Sequence, residues 1–240
     1  MSRVAIIAAM AGELKPLVHG WLHERRDGVD VWRWKFDEGE WIAACAGAGL
    51  DAATRAFAAV EKVGFPDLMI SVGWVGALTE ELETGMTYRV SGVIDARTGE
   101  RFRPAVWSDE RWLVTSPRVA DEAEKRRLAA AYGAHMVDME ASAVARLAQM
   151  RGIPFYSIKG VSDGFTDKLP DFNRFIRPDG RFDMTGMVLF SILRPWYWPS
   201  LVRMGENSKK ASQSIREAVL DFLDERSTIR ERNGYPNIKH

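Results

Sequence analysis

Cysteine is nearly absent from this 240-residue chain. Cys45 stands alone, which excludes an intramolecular disulfide and argues against a cysteine-ligated zinc site. Histidine is scarce as well, at positions 19, 23, 135 and 240. Only His19 and His23 have an i,i+4 spacing, on an expected helix, and no further ligand set completes a metal site there. Charge of one sign is missing too: Lys plus Arg and Asp plus Glu each number 33, so no net field recruits nucleic acid. Long apolar runs are lacking. The opening Val4-Ala5-Ile6-Ile7-Ala8-Ala9-Met10 is far too short to span a bilayer and carries no cleavage pattern. A cytoplasmic protein without a signal peptide or transmembrane segment is expected.

What remains is an ordinary globular mixture, 46% hydrophobic and 28% charged, enough for one large α/β domain or two small ones. Tryptophan is the excess residue, with nine in all and two in Arg194-Pro195-Trp196-Tyr197-Trp198-Pro199. Such clusters serve packing or subunit contacts, and amphipathic aromatics also suit membrane interfaces. A peripheral membrane contact therefore stays open beside a homo-oligomer interface.

Apolar runs alternate with helical periodicity along the chain. Buried strands are expected at Val4–Met10, Leu68–Val72, His135–Val137 and Ile153–Lys159. The turn Gly73-Trp74-Val75-Gly76 closes the second of these. Val31–Phe36 alternates as an exposed strand beside Trp41–Ala46, and further strands are expected around Met86–Ile94 and Trp112–Thr115. Helices are predicted from Asp51, as a cap, to about Val63; from Ala120 to Ala131, with a solvated Glu and Arg face; and from Glu140 to Met150. Two more are predicted at Met184–Leu193 and Asn207–Glu225. The pattern implies one α/β domain over residues 1–226, with a central, largely parallel sheet and an antiparallel or barrel-like part, then a flexible tail over 227–240.

Three carboxylates fall beside expected strand ends. Asp138 and Glu140 lie in Val137-Asp138-Met139-Glu140-Ala141, and Asp163 lies in Ser162-Asp163-Gly164. Open α/β sheets bind ligands at strand ends, and acids held there suit polyol binding and proton transfer. A first-turn helix acid or a turn former explains the same residues without any function.

Gly47-Ala48-Gly49-Leu50-Asp51-Ala52 has the form of a dinucleotide fingerprint. It follows a later strand rather than the first. The acidic residue expected roughly 20 positions on is missing, because that strand ends Ser71-Val72-Gly73. Close helix packing accounts for the small residues, and no nicotinamide cofactor is expected.

With Glu13, the glycine-bearing 73–76 segment, Asp138-Met139-Glu140 and Ser162-Asp163 in this order, the layout resembles the nucleoside phosphorylase superfamily. Its nearest branches are the methylthioadenosine/S-adenosylhomocysteine nucleosidases and the hopanoid-associated nucleoside phosphorylase-like proteins. The resemblance runs from Val4 to about Phe165 and more loosely beyond. It implies a three-layer α/β/α fold with a central mixed, partly barrel-like sheet. It also implies cleavage of a purine nucleoside's N-glycosidic bond without cofactor or metal, by a homodimer or higher homo-oligomer.

The resemblance implies a role for each site residue. Glu140 receives ribose hydroxyls, and Met139 packs on the sugar face. Asp163, steadied by Ser162, protonates the leaving purine, for which burial would have to raise its pKa. Asp138 stands where glutamate is commoner, and Lys159 where arginine is, both in support. Glu13 orients the attacking water, where phosphate users tend to place arginine. Gly73 and Trp74 border the nucleophile, with an indole where relatives carry a small or hydroxylated residue. Val119 lies in the purine-stacking loop, which lacks an aromatic. The expected reaction is release of adenine from a 5′-modified adenosine by water. A phosphate-dependent phosphorylase and a non-catalytic nucleoside-binding protein are the alternatives. The Trp196/Trp198 segment resembles that of the hopanoid-associated branch and would line an apolar channel for the 5′ group, or pack in an interface.

Overall fold

The computed structural model describes residues 2–37, 39–104, 110–177, 179–192 and 194–232. The apolar opening forms β1 (Ser2–Ala8), whose side chains alternate between two cores. Ala5 and Ile7 enter one, while Val4, Ile6 and Ala8 enter the other. A strand buried on both faces needs cover on both sides, and the later helices provide it. One turn of helix, α1 (Ala11–Leu14), precedes a meander of β2 (Leu22–Arg26), β3 (Val29–Phe36) and β4 (Gly39–Cys45). These three pair antiparallel, and β4 then runs parallel to β1. His19 and His23 are therefore not on one helix. His19 lies in a turn, and His23 on β2 stacks against Trp32 and bonds Asp30 at 3.0 Å.

Helix α2 (Leu50–Val63) turns Ala52, Ala53, Ala56, Phe57 and Val60 inward. Its N-cap is Gly49, so Asp51 sits inside the first turn instead of capping it. The dipole favours an acid there in either register.

Strand β5 (Leu68–Ala77) is longer than its sequence suggests, because the segment expected as a turn at 73–76 continues the strand. Its first part lies parallel to β1, whereas Gly76 and Ala77 pair antiparallel with β10 (Met136–Asp138). Glycine in a strand interior marks a close approach by another group, and here both glycines meet carboxylates.

Between them the chain forms β6 (Thr87–Arg89), β7 (Gly92–Asp95), β8 (Arg101–Phe102), β9 (Trp112–Thr115) and helix α3 (Glu122–Tyr132). Asp121 caps α3 by accepting from the Glu124 N–H at 2.8 Å. The face of α3 is not wholly solvated: Glu124 and Lys125 are buried. Helix α4 (Ala141–Met150) and strand β11 (Phe155–Asp163) follow as the alternation predicts.

A 3-10 turn at Phe172–Phe175 leads to α5 (Met184–Ile192). The aromatic-proline joint is itself helical: a 3-10 turn at Pro195–Tyr197 runs straight into α6 (Trp198–Arg232). Proline in a first helical turn removes no intrahelical bond, so α6 starts well before Asn207. Helix α6 reaches Arg232, and the rest of the expected tail, 233–240, lies outside the described residues.

The eleven strands form one sheet in the order β2-β3-β4-β1-β5-β10-β9-β7-β8. β11 pairs parallel with β5 and carries β6 on its other side. The sheet is thus mixed and forks at β5 without closing. One face packs on α2 and α4, whose alanines allow close approach. The other packs on Ala211, Ile215, Val219 and Phe222 of α6 and on Leu14 of α1. This is a three-layer α/β/α arrangement. Among the described residues no helix is long and apolar enough to cross a membrane, and no histidine, cysteine and acid group is arranged to hold a metal ion.

Candidate active site

Strand ends from both prongs of the fork converge on a buried set of charges. Glu13 reaches it from α1, just past β1, and is 3% exposed. One of its oxygens accepts from the N–H groups of Ala9 at 2.8 Å and Met10 at 2.9 Å, and the other from Trp74 at 2.9 Å. Gly73 makes this approach possible: at φ 146°, a Cβ there would lie 3.0 Å from the Glu13 carboxylate. Burial pushes the Glu13 carboxyl above its ordinary range, against the opposing pull of the Met10 and Trp74 N–H groups and of Lys159.

Glu140 stands at the N-cap of α4, half buried. Its Oε1 accepts from the Gly49 N–H at 2.7 Å and its Oε2 from the Met139 N–H at 3.2 Å. The Gly47-Ala48-Gly49 segment thus presents a backbone donor to a side-chain carboxylate, a use different from the fingerprint its sequence resembles. Burial first, then the Asp138 and Glu13 carboxylates, push Glu140 up to about 8. Met139 is half exposed beside it.

Asp138 points away from solvent and acts as a brace. It accepts from Thr115 Oγ1 at 2.8 Å, caps α4 through the Ala141 N–H at 3.0 Å, and pairs with Lys159 Nζ at 3.0 Å. The Lys159 ammonium also donates to Ser71 Oγ at 3.0 Å and to the Val72 carbonyl at 3.3 Å. The ammonium is thus held by one ion pair and two hydrogen bonds.

Asp163 ends β11 just past a bulge. Val161 faces Val75 and Asp163 faces Gly76, which leaves Ser162 as the extra residue. Bulges re-aim side chains near sites. Ser162 Oγ lies 2.7 Å from Asp163 Oδ1 and 3.2 Å from the Val75 carbonyl. Lys125 Nζ donates to Asp163 Oδ2 at 2.5 Å and to the Gly164 carbonyl at 2.6 Å. A Cβ on Gly76 would sit 3.0 Å from that carboxylate and 3.1 Å from Lys125 Cε. In place of an isolated buried acid, Asp163 has an ion-pair partner.

The fold thus gathers Glu13, Gly73, the Trp74 N–H, Asp138, Met139, Glu140, Ser162 and Asp163 around the fork. The Trp74 indole points elsewhere, past Gly12 to a 2.9 Å bond with Ser212 of α6. Val119 is also occupied: its N–H donates to Asn173 Oδ1 at 2.8 Å, and its carbonyl accepts from Asn173 Nδ2 at 3.0 Å. The segment carrying Asn173 goes on to Gly180, whose carbonyl accepts from the Ala48 N–H at 2.7 Å. One stretch of chain therefore links Asp163, Val119 and the segment that holds Glu140.

Lys125, Thr115 and Asn173 escape sequence reasoning. For Lys125 a signal exists, since Lys125, Leu128, Ala129 and Tyr132 follow i, i+3, i+4, i+7, the stripe a helix buries.

A sequence profile of the phosphorylase superfamily matches residues 105–178, the stretch from before β9 through β11 that holds Asp138, Glu140 and Asp163. In three dimensions nearly the whole chain overlays on 5′-methylthioadenosine nucleosidase from Arabidopsis thaliana in apo form. The TM-score is 0.72 at 16% identity, over 94% of this chain and 96% of that one. The chain carries the phosphorylase-superfamily fold. Two bacterial structures with this fold align equally well. The 5′-methylthioadenosine/S-adenosylhomocysteine nucleosidase of Neisseria meningitidis, in complex with methylthio-immucillin-A, gives a TM-score of 0.70 at 16% identity, covering 94% of this chain and 100% of its own. The futalosine hydrolase of Helicobacter pylori gives 0.70 at 14% identity, covering 93% and 98%. No curated protein matches in sequence.

Proposed function

We propose that this protein is a nucleosidase that hydrolyses the N-glycosidic bond of a 5′-modified adenosine and releases adenine. The observation that carries this reading is the sign of the charge where the nucleophile would arrive. Glu13 and Glu140 border that position, and the cation nearest them, Lys159, is spent on Asp138, Ser71 and Val72. Phosphate would meet acidic side chains and a committed lysine there, whereas a neutral water meets a base in Glu13. Hydrolases with this fold, acting on methylthioadenosine, S-adenosylhomocysteine or futalosine, support the same class of reaction.

In this reading Glu13 takes a proton from water as the water attacks the anomeric carbon. Glu140 receives the ribose hydroxyls against Met139, and the purine leaves protonated through Asp163. Methylthioadenosine incubated with and without inorganic phosphate tests the reading. Adenine and free methylthioribose should form at the same rate in both. Formation of a sugar 1-phosphate, or base release that needs phosphate, would make the protein a phosphorylase instead.

Val119 would hold the base by its backbone pair. The Asn173 carboxamide now meets that N–H and carbonyl with an acceptor and a donor. Adenine offers a comparable pair, an amino donor beside a ring-nitrogen acceptor. Base binding therefore competes with Asn173. Asn173→Ala is expected to lower KM about three- to tenfold at unchanged kcat, the worth of one or two net hydrogen bonds. An unchanged KM would remove Val119 from the base pocket.

A further inference from the structure

Lys125 is a buried ammonium with no role in the mechanism just given. It lies in the first half of α3, its side chain 1% exposed, and among the described residues its ammonium bonds only to the site: Asp163 Oδ2 and the carbonyl of Gly164. Burying an ammonium is expensive, and an apolar residue on the stripe with Leu128 would pack without that cost. The contrast with Lys159 is informative. Lys159 faces Asp138, whose side chain is 0% exposed, and the two form a closed brace. Lys125 faces Asp163, whose side chain keeps 11% exposure beside the site.

Asp163 Oδ2 accepts from Lys125, and the single O–H of Ser162 is shared between Oδ1 and the Val75 carbonyl. A carboxylate bonded in this way accepts and has no proton to give. If Asp163 is to protonate the departing base, a proton must first reach it. The acidic proton in contact with it is on Lys125 Nζ.

We propose that Lys125 is the proton source behind Asp163, an inference that rests on the nucleosidase reading. As the glycosidic bond breaks, its electron pair passes into the purine. An N–H bond of Lys125 breaks and an O–H bond forms on Asp163. That O–H bond breaks in turn as an N–H bond forms on the purine ring. Lys125 is left as a neutral amine; when adenine departs it takes a proton from solvent, and Glu13 returns to solvent the one it took from the attacking water. Lys125 touches no substrate and acts through Asp163.

The rival role is a plain counter-ion, and arginine separates the two. Arg keeps the charge and the donors but does not give up a proton in proteins. The experiment uses the full chain with two substrates: methylthioadenosine, and the nitrophenyl glycoside of the same sugar, whose phenolate leaves without a proton. Lys125→Arg and Lys125→Met are each expected to lower kcat for adenine release by about 100-fold or more, within the range of a lost general acid, at nearly constant KM. Both variants should keep nitrophenol release close to the wild-type rate. Adenine release at the wild-type rate by Lys125→Arg would overturn the proposal and leave Lys125 a counter-ion. An equal loss on both substrates would also overturn it, as a packing defect. Wild-type protein that releases no adenine would instead sink the nucleosidase reading, and this inference with it.

Discussion

Glu13→Gln is expected to lower kcat for adenine release about a thousandfold, the middle of the range for removing a general base. The amide cannot take a proton from water. It also replaces one acceptor oxygen with a donor, among three N–H groups that all point at the carboxylate. At least one backbone N–H then faces an NH2 group, costing about 1–3 kcal/mol of stability for the orphaned donor. Measuring kcat beside adenine binding separates the two effects, because base binding should survive while turnover does not. The wild-type pH profile carries the same signature. Glu13 works only when ionised, and burial holds its carboxyl above the ordinary range, so the rate should rise with pH above that range. Wild-type turnover in the Glu13→Gln protein would show that the water is oriented elsewhere.

The largest expected effect on stability comes from the brace beneath the site. Lys159→Met should destabilise the protein by about 3–5 kcal/mol, the usual consequence of stranding one charge of a buried pair. Asp138 would then lie sealed from water with its charge opposed only by Thr115 Oγ1 and the Ala141 N–H. Stabilities of single domains are about 5–15 kcal/mol in all, so the loss is large. Adding Asp138→Asn to Lys159→Met should recover part of it by removing the stranded charge. Urea unfolding of the three proteins reads this directly. A Lys159→Met loss below about 1 kcal/mol would mean that the pair behaves like a surface salt bridge.

The parts of this fold that were legible in the sequence are those where local pattern and tertiary environment agree. β1, β4, β10 and β11 are apolar because they are covered on both sides, and an apolar run needs no knowledge of its partners. Asp138, Glu140 and Asp163 were visible because acids at the ends of such runs are conspicuous. The 73–76 segment was not, because glycine is a turn signal when read alone. Its meaning as a strand under two carboxylates depends on residues sixty and more positions away. Lys125 was hidden by its own charge, which outweighs the apolar stripe in any reading that sorts by polarity. β2 has every residue exposed and no alternation, and only its pairing with β3 makes it a strand. Asn173 belongs to a short 3-10 turn, and nothing in its neighbours announces that its amide faces Val119.

Strand β5 also acts as a ruler. Gly73 and Trp74 meet the carboxylate assigned to water, and Gly76 meets the one assigned to the leaving base. Two or three residues of extended backbone span roughly 7–10 Å, and pairing with β11 through this stretch keeps the segment from stretching. The separation of the two ends of the reaction is therefore a length of main chain, independent of any rotamer. Side chains around the fork can be exchanged to suit a different sugar substituent or base. A residue inserted into or deleted from 73–76 would change the gauge itself, and no choice of side chain could restore it.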